Sequence, residues 1–409
     1  MNTFSINKQY YKFCAYGFLK NLRFFDAFFI LFLLEKGLSY TSIGVLYALR
    51  EIIINVFEVP SGLLADTYGR KNALMLSFVA YIVSFLLFYS AKDFWWLVPA
   101  FVLYGVGDAF RSGTHKGMIM DYLKLQGWSA QKIDYYGHTR SWSQKGSALS
   151  SLIAGLIVFY TGAFHTVFIY SVIPYVINLA LIFSYPNELN KSPTHRTSNQ
   201  GIKQTLRSFF MVMKQPKVLR IVNSAAAHTA YLKAIKDYIQ PLMLHIAVIL
   251  PFMLSMATVK KNGLVIGVLY FFIYLATSRA SRMASSFNDK NKLNASYVTL
   301  MMGFLLGIFT GIFYGLDLWV LSLLTFVGIY LIENLRKPIL TGIIADNVPN
   351  ELLTSVISAQ NLIRTIMTAL IALTFGLLAD NWGISQALVV ISIILFLISF
   401  LIDNFLSKK

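Results

Sequence analysis

The residues here whose types and spacing can do chemistry are charged side chains set inside apolar stretches. Glu51, Asn55 and Glu58 recur at i, i+4 and i+7, so a helix carries them on one face, with Arg50 beside them. Asp108, Arg111 and His115 share a face in the same way, as do His138, Trp142 and Lys145, with Arg140 one step round. Arg23 and Asp26 sit in the first apolar stretch, and His228, Lys233, Lys236, Asp237, Gln240, Glu333, Arg336 and Arg364 in the second half. A carboxylate in a low-dielectric cavity takes up and releases protons as its neighbours change, which makes Asp26, Glu51, Glu58 and Asp108 candidates for proton coupling. Candidates for holding a polar or anionic solute, by forked or point-charge contacts, are Arg50, Arg111, His115, Arg140, Lys145, Lys233, Lys236, Glu333, Arg336 and Arg364. The competing reading is that the same charges pin helices together as buried ion pairs, with Arg50–Asp26 and Arg111–Glu51 as expected partners. Asp108, His115, Asp121 and His138 are of metal-ligand type. Arg111 and Lys116 among them repel a dication, so no metal site is expected and a metal-ion substrate is a lesser alternative. Trp95 and Trp96 read as interfacial anchors, and Tyr135 and Tyr136 as loop anchors or residues of a cavity mouth.

What must position these charges is a set of membrane-spanning helices. Of 409 residues, 56% are hydrophobic and 13% charged, about half the charge of a soluble domain, and the mean hydropathy is +0.62. Runs of about 20 apolar residues, enough to cross the hydrocarbon core, recur from end to end. An ordinary soluble enzyme, a disordered chain and a nucleic-acid partner are excluded. The reading is an all-α membrane protein with twelve spans near 13–34, 42–64, 72–91, 94–122, 137–160, 165–185, 219–246, 263–286, 294–315, 317–337, 352–379 and 384–405. Pro241 and Pro251 interrupt the region around 247–262, which either extends the seventh span or lies re-entrant.

The net charge of +17 follows from loops that gather Lys and Arg on the cytoplasmic side. With both termini inside, the inner face holds Lys8, Lys12, Arg70, Lys71, Lys124, Lys132 and a basic linker, whereas outer loops keep only Lys36, Lys92, Lys260 and Lys261. The domains expected are a six-helix bundle at 1–185, a basic cytoplasmic linker at 186–218 and a second bundle at 219–409. The single Cys14 forms no internal disulfide, and no cleavable signal peptide is read at the start.

Spans three, six, nine and twelve (72–91, 165–185, 295–315 and 384–402) contain no Asp, Glu, Lys or Arg. Intramembrane charges must face protein or water, so every third helix is expected to face lipid, as in nested three-helix repeats around an aqueous path. The halves also align: Asp108, Arg111, Gly117 and Asp121 match Glu333, Arg336, Gly342 and Asp346 at one offset. Gly155-Leu156 and Gly162 match Gly376-Leu377 and Gly383.

Between spans two and three runs Glu58-Val-Pro-Ser-Gly62-Leu-Leu-Ala-Asp66-Thr-Tyr-Gly69-Arg70-Lys71. Gly62 suits a close helix approach, Gly69 a tight turn, Asp66 a cap or ion pair, and Arg70 and Lys71 an anchor on the inner face. This stretch resembles the G-x-L-A-D-x-x-G-R-K signature of the major facilitator superfamily. The resemblance implies two pseudo-symmetric six-helix bundles, alternating access, and a loop (Gly62, Asp66, Gly69, Arg70 and Lys71) that latches one state. The corresponding loop from Ser278 to Leu293 keeps Arg279, Arg282 and Lys290 but lacks the glycine–aspartate core. Phe101 stands where drug–proton exporters of the family carry Arg, and the run from Gly146 to Gly155 lacks their Gly-Pro-Gly-Gly, which argues against a drug exporter.

The function expected is a secondary transporter of a small polar solute, anionic or zwitterionic, coupled to protons or another ion. It acts as a monomer in the bacterial inner membrane, without cofactor. No G-x-x-x-x-G-K-[ST] is present, so direct ATP drive is not expected. A lipid flippase of the same fold and a membrane sensor on a transporter scaffold are the alternatives. An enzyme is not expected, because the histidines are too few and scattered.

Overall fold

In hydrocarbon no water accepts a backbone hydrogen bond, so each apolar run closes its own bonds as a helix. A computed structural model describes residues 6–128, 131–190, 216–250, 257–283, 292–347 and 350–407. Twelve spans emerge, in an all-helical fold with an internal repeat. The second is Tyr40–Tyr68, the third Arg70–Ser90, the fifth Lys132–Thr161, the sixth Thr166–Phe183, the eighth Thr258–Met283, the ninth Lys292–Gly315 and the tenth Trp319–Asn347. The eleventh and twelfth lie within Asn350–Ser407, which breaks at Gly383 (φ 85°, ψ 164°). Gly162 at the matching end of the fifth span also has positive φ (70°), so the repeated glycines close corresponding turns.

Three spans expected to be continuous are broken. The first runs as Lys8–Lys20, a tight turn Phe24–Ala27 and Phe29–Glu35. Arg23 and Asp26 pair with each other at the break, at 2.9 Å. The fourth stops at Arg111 and restarts as Thr114–Leu125 after Gly113, whose φ is +77°. The seventh is Pro216–Ile235 and Ile239–Ile249, joined by Lys236–Tyr238. Helix therefore extends the seventh span to residue 249, and 251–256 lie outside the described residues, as do 191–215 of the linker. Among the described residues, seven helices are long and apolar enough to cross a membrane, the last of them covering both final spans. The first, fourth, fifth and seventh spans fall short of that measure, and these are spans in which charges or breaks interrupt the apolar run.

Spans three, six, nine and twelve carry exposed apolar stripes at helical spacing, such as Leu76, Val79, Val83 and Leu86 on the third and Val298, Met302, Leu305, Phe309 and Ile312 on the ninth. A stripe of that length is stable against acyl chains, not water. The helices group into two compact units. One comprises 1–32, 53–199 and 253–274, the other 33–52, 200–252 and 275–409. Within the second unit an added Cβ on Gly44 would lie 2.4 Å from the Ala372 carbonyl, and within the first one on Gly155 would lie 2.8 Å from that of Gly263, so these helix pairs meet through glycine.

Candidate functional site

In the first unit, the helical spacing of Asp108 and Arg111 makes them an ion pair of their own. Arg111 Nη2 lies 2.9 Å from Asp108 Oδ1, and the Tyr81 hydroxyl closes the triangle. It donates to Asp108 at 2.5 Å and accepts from Arg111 Nε at 2.9 Å. Both ionic side chains keep partial exposure, 28% for Arg111 and 19% for Asp108. One turn away in space, Arg23 pairs with Asp26 and donates to the Tyr104 hydroxyl at 2.7 Å. Within the units, Asp26 pairs with Arg23, and Glu51 with Lys233 and Arg50. Each acid is taken by a base on its own helix or its own unit, because a three-residue step delivers a partner without any helix docking.

The same unit carries a half-open cavity of about 350 Å³ walled by the first, fourth and fifth spans. Tyr16, Lys20, Asn21, His115, Arg140 and Gln144 are among its lining residues, and none of the lining residues is acidic. The His115 ring stacks on Tyr16 with centroids 3.5 Å apart. Lys20 was not among the residues singled out by spacing. Its signal was plain, a lysine inside an apolar run one helical turn after Tyr16. Tyr136 proves to be a cavity residue, and Tyr135 is fully buried.

In the second unit Glu51 is fully buried between two cations. Lys233 Nζ lies 2.6 Å from Oε2 and Arg50 Nη2 lies 3.2 Å from Oε1. Tyr47, one turn before, donates to Asp237 at 2.8 Å, and Lys236 stands 3.6 Å from that carboxylate. Glu333 is bound by His228 Nδ1 at 2.8 Å and the Thr229 hydroxyl at 2.8 Å, with Lys337 at 3.6 Å. Arg336, three residues on, turns away from it. Its guanidinium donates to the Ser296 carbonyl, to Thr299 Oγ1 at 2.7 Å, and to the Ser224 carbonyl and hydroxyl at 2.7 and 3.0 Å. Only 1% of Arg336 is exposed.

Lys145 is exposed, with Nζ 4.4 Å above the Trp142 ring. Glu58 is exposed and Arg364 half-buried. Phe101 is fully buried against Phe29 and Phe88, so the position has no room for a guanidinium. In the signature loop, Gly69 has φ 96° and ψ 144°, and a Cβ there would run into Asn190. Arg70 pairs with Asp121 at 2.5 Å, and Lys71 donates to the Tyr185 carbonyl at 2.8 Å. These two cations tie helices together as well as marking a face. Gly62 departs from expectation. Among the described residues nothing lies within 4 Å of where its Cβ would be, so they give it no close contact. The Asp66 side chain lies outside the described residues.

A multi-pass helical protein with intramembrane ion pairs and a solute-sized polar cavity is of the transporter class, not an enzyme. Residues 15–372 match the Major Facilitator Superfamily, and the chain belongs to it. It is 22% identical over 384 residues to the MFS-type transporter YxaM of Bacillus subtilis strain 168, covering 91% of this chain and 89% of that one. Among solved structures, a POT family transporter in complex with 5-aminolevulinic acid superposes with a TM-score of 0.74 at 12% identity, covering 100% of this chain and 98% of the other. The nucleoside transporter NupG does so at 0.69 and 11% identity, covering 98% and 97%. At such identities the likeness speaks for the fold.

Proposed function

We propose that this transporter moves a small polar solute by alternating access and draws on a proton gradient. The observation that carries the reading is the cavity of about 350 Å³ inside the first unit, whose wall combines a guanidinium, a lysine amine, an imidazole and amides. That volume is at the small end of ligand pockets, and a polar lining at membrane depth is costly unless it serves water or solute. Coupling rests on carboxylates that each hold a base. Protonating Glu51 would release Lys233, and protonating Asp108 would release Arg111, so proton arrival and a change in side-chain partners are one event. The Lys/Arg bias supports both termini in the cytoplasm of a bacterium, with the protein in the inner membrane, and a monomer is sufficient for the cavity described.

The test is uptake by proteoliposomes of purified protein under an imposed pH gradient, with a sodium gradient as the parallel arm. Acceleration by the inward proton gradient, lost in Glu51→Gln or Asp108→Asn, supports the reading. Transport indifferent to protons in the wild type removes proton coupling.

A further inference from the structure

We infer that the first unit's cavity receives a doubly charged anionic group, a dicarboxylate or a phosphate monoester, through Lys20 and Arg140. The inference rests on the transport reading and names the substrate class of the same site.

The charges of the helices around the cavity are unequal. On the first span stand Lys20, Arg23 and Asp26, on the fourth Asp108, Arg111, His115 and Lys116, and on the fifth His138, Arg140 and Lys145. Of the acids on these helices, Asp26 is held by Arg23 and Asp108 by Arg111, each at 2.9 Å, and Asp121 by Arg70; Glu35 is exposed, and the Asp134 side chain lies outside the described residues. Lys20 and Arg140 line the cavity, and among the described residues neither makes an ion pair. An arginine keeps its proton under all ordinary conditions, so an anionic group is the natural partner for Arg140 in this lining. Arg140 and a protonated Lys20, both lining the cavity, match two negative charges. A zwitterion fits poorly, because its ammonium would meet no carboxylate among the lining residues. The remaining lining suits an oxyanion: Gln144 makes no side-chain hydrogen bond among the described residues and has an amide to offer. The stacked Tyr16 and His115 rings give a flat face for the solute's carbon skeleton.

The experiment uses purified full-length protein and follows thermal melting with a four-carbon dicarboxylate, inorganic phosphate, the matching monocarboxylate and a neutral polyol. The expected result is a rise in melting temperature with the dicarboxylate or phosphate and none with the other two. The larger response tells a carboxylate source from a phosphate one. Lys20→Gln and Arg140→Gln weaken the response about tenfold, as loss of one charged hydrogen-bond partner does. Lys20→Arg and Arg140→Lys keep most of it and show that the loss is one of charge and not of folding. Lys92→Gln, in an exposed loop, leaves it unchanged. A response that survives both neutral substitutions, or no response to either dianion, overturns the inference. Counterflow in proteoliposomes separates the two readings. A neutral solute that exchanges while dianions neither bind nor exchange ends the dianion inference and leaves transport standing. A dianion that binds but is never exchanged does the reverse.

Discussion

Arg111 and Arg336 occupy matching positions of the repeat, each three residues after a carboxylate, and their surroundings have diverged. Arg111 stays with Asp108, shares Tyr81 with it, and remains partly exposed. Arg336 leaves Glu333 to His228 and Thr229 and donates from its two terminal nitrogens to two carbonyls and two hydroxyls in a site closed to solvent. An ion pair with partial exposure exchanges partners at low cost, whereas a guanidinium wrapped in protein acceptors is fixed, since each bond lost leaves a buried polar group unmatched. One copy of the repeat therefore keeps a movable pair near the cavity, and the other has become a strut. Duplicated sequence does not imply duplicated duty.

The largest expected effect is on the strut. Arg336→Met leaves four acceptors without their donor and should cost about 3–5 kcal/mol, seen as a steep fall in melting temperature and yield. Arg111→Gln should cost only about 1 kcal/mol while transport is lost, since the group it disturbs is half-solvated. Equal destabilisation by the two would erase the contrast. Next comes Gly303→Ala, whose Cβ would lie 2.1 Å from His228 Nε2 and should destabilise by about 1–3 kcal/mol through overpacking. In a His228→Ala background the same change should be neutral or stabilising, because alanine is the better helix former by about 1 kcal/mol, and the coupling is read from a double-mutant cycle. The smallest is Tyr81→Phe, which removes one hydroxyl from the movable pair and should lower stability by about 0.5–1.5 kcal/mol. Its transport should respond to pH differently from the wild type, a change that Tyr231→Phe in the second unit, a tyrosine bonded to Ser392 at 2.6 Å, should not produce.

Much of this architecture was legible in the chain. The charge-free third, sixth, ninth and twelfth spans foretold the exposed apolar stripes, and the matched Gly162 and Gly383 foretold corresponding turns, because burial pattern and backbone sterics are local properties. Partner choice was not legible. That Glu51 meets Lys233 depends on how helices distant in sequence are rotated and tilted, which the spacing along one helix does not fix. Gly62 shows the same limit, since whether a glycine is a contact point depends on what faces it. Lys20 was overlooked for another reason. It has no charged neighbour at helical spacing on the acidic side, and the search for paired charges passes over a cation that is left unpaired.

The difference between the two regions is tested most directly by cysteine accessibility in a Cys14→Ala background, since Cys14 is the chain's single cysteine. Ser143→Cys places a thiol on the cavity wall, and Thr299→Cys places one beneath Arg336, where Thr299 is a buried acceptor. With a membrane-impermeant thiol reagent applied to both faces of open vesicles, Ser143→Cys should label readily and Thr299→Cys should not. Equal labelling of the two, or faster labelling of Thr299→Cys, would contradict a movable pair beside an open cavity in one unit and a sealed strut in the other.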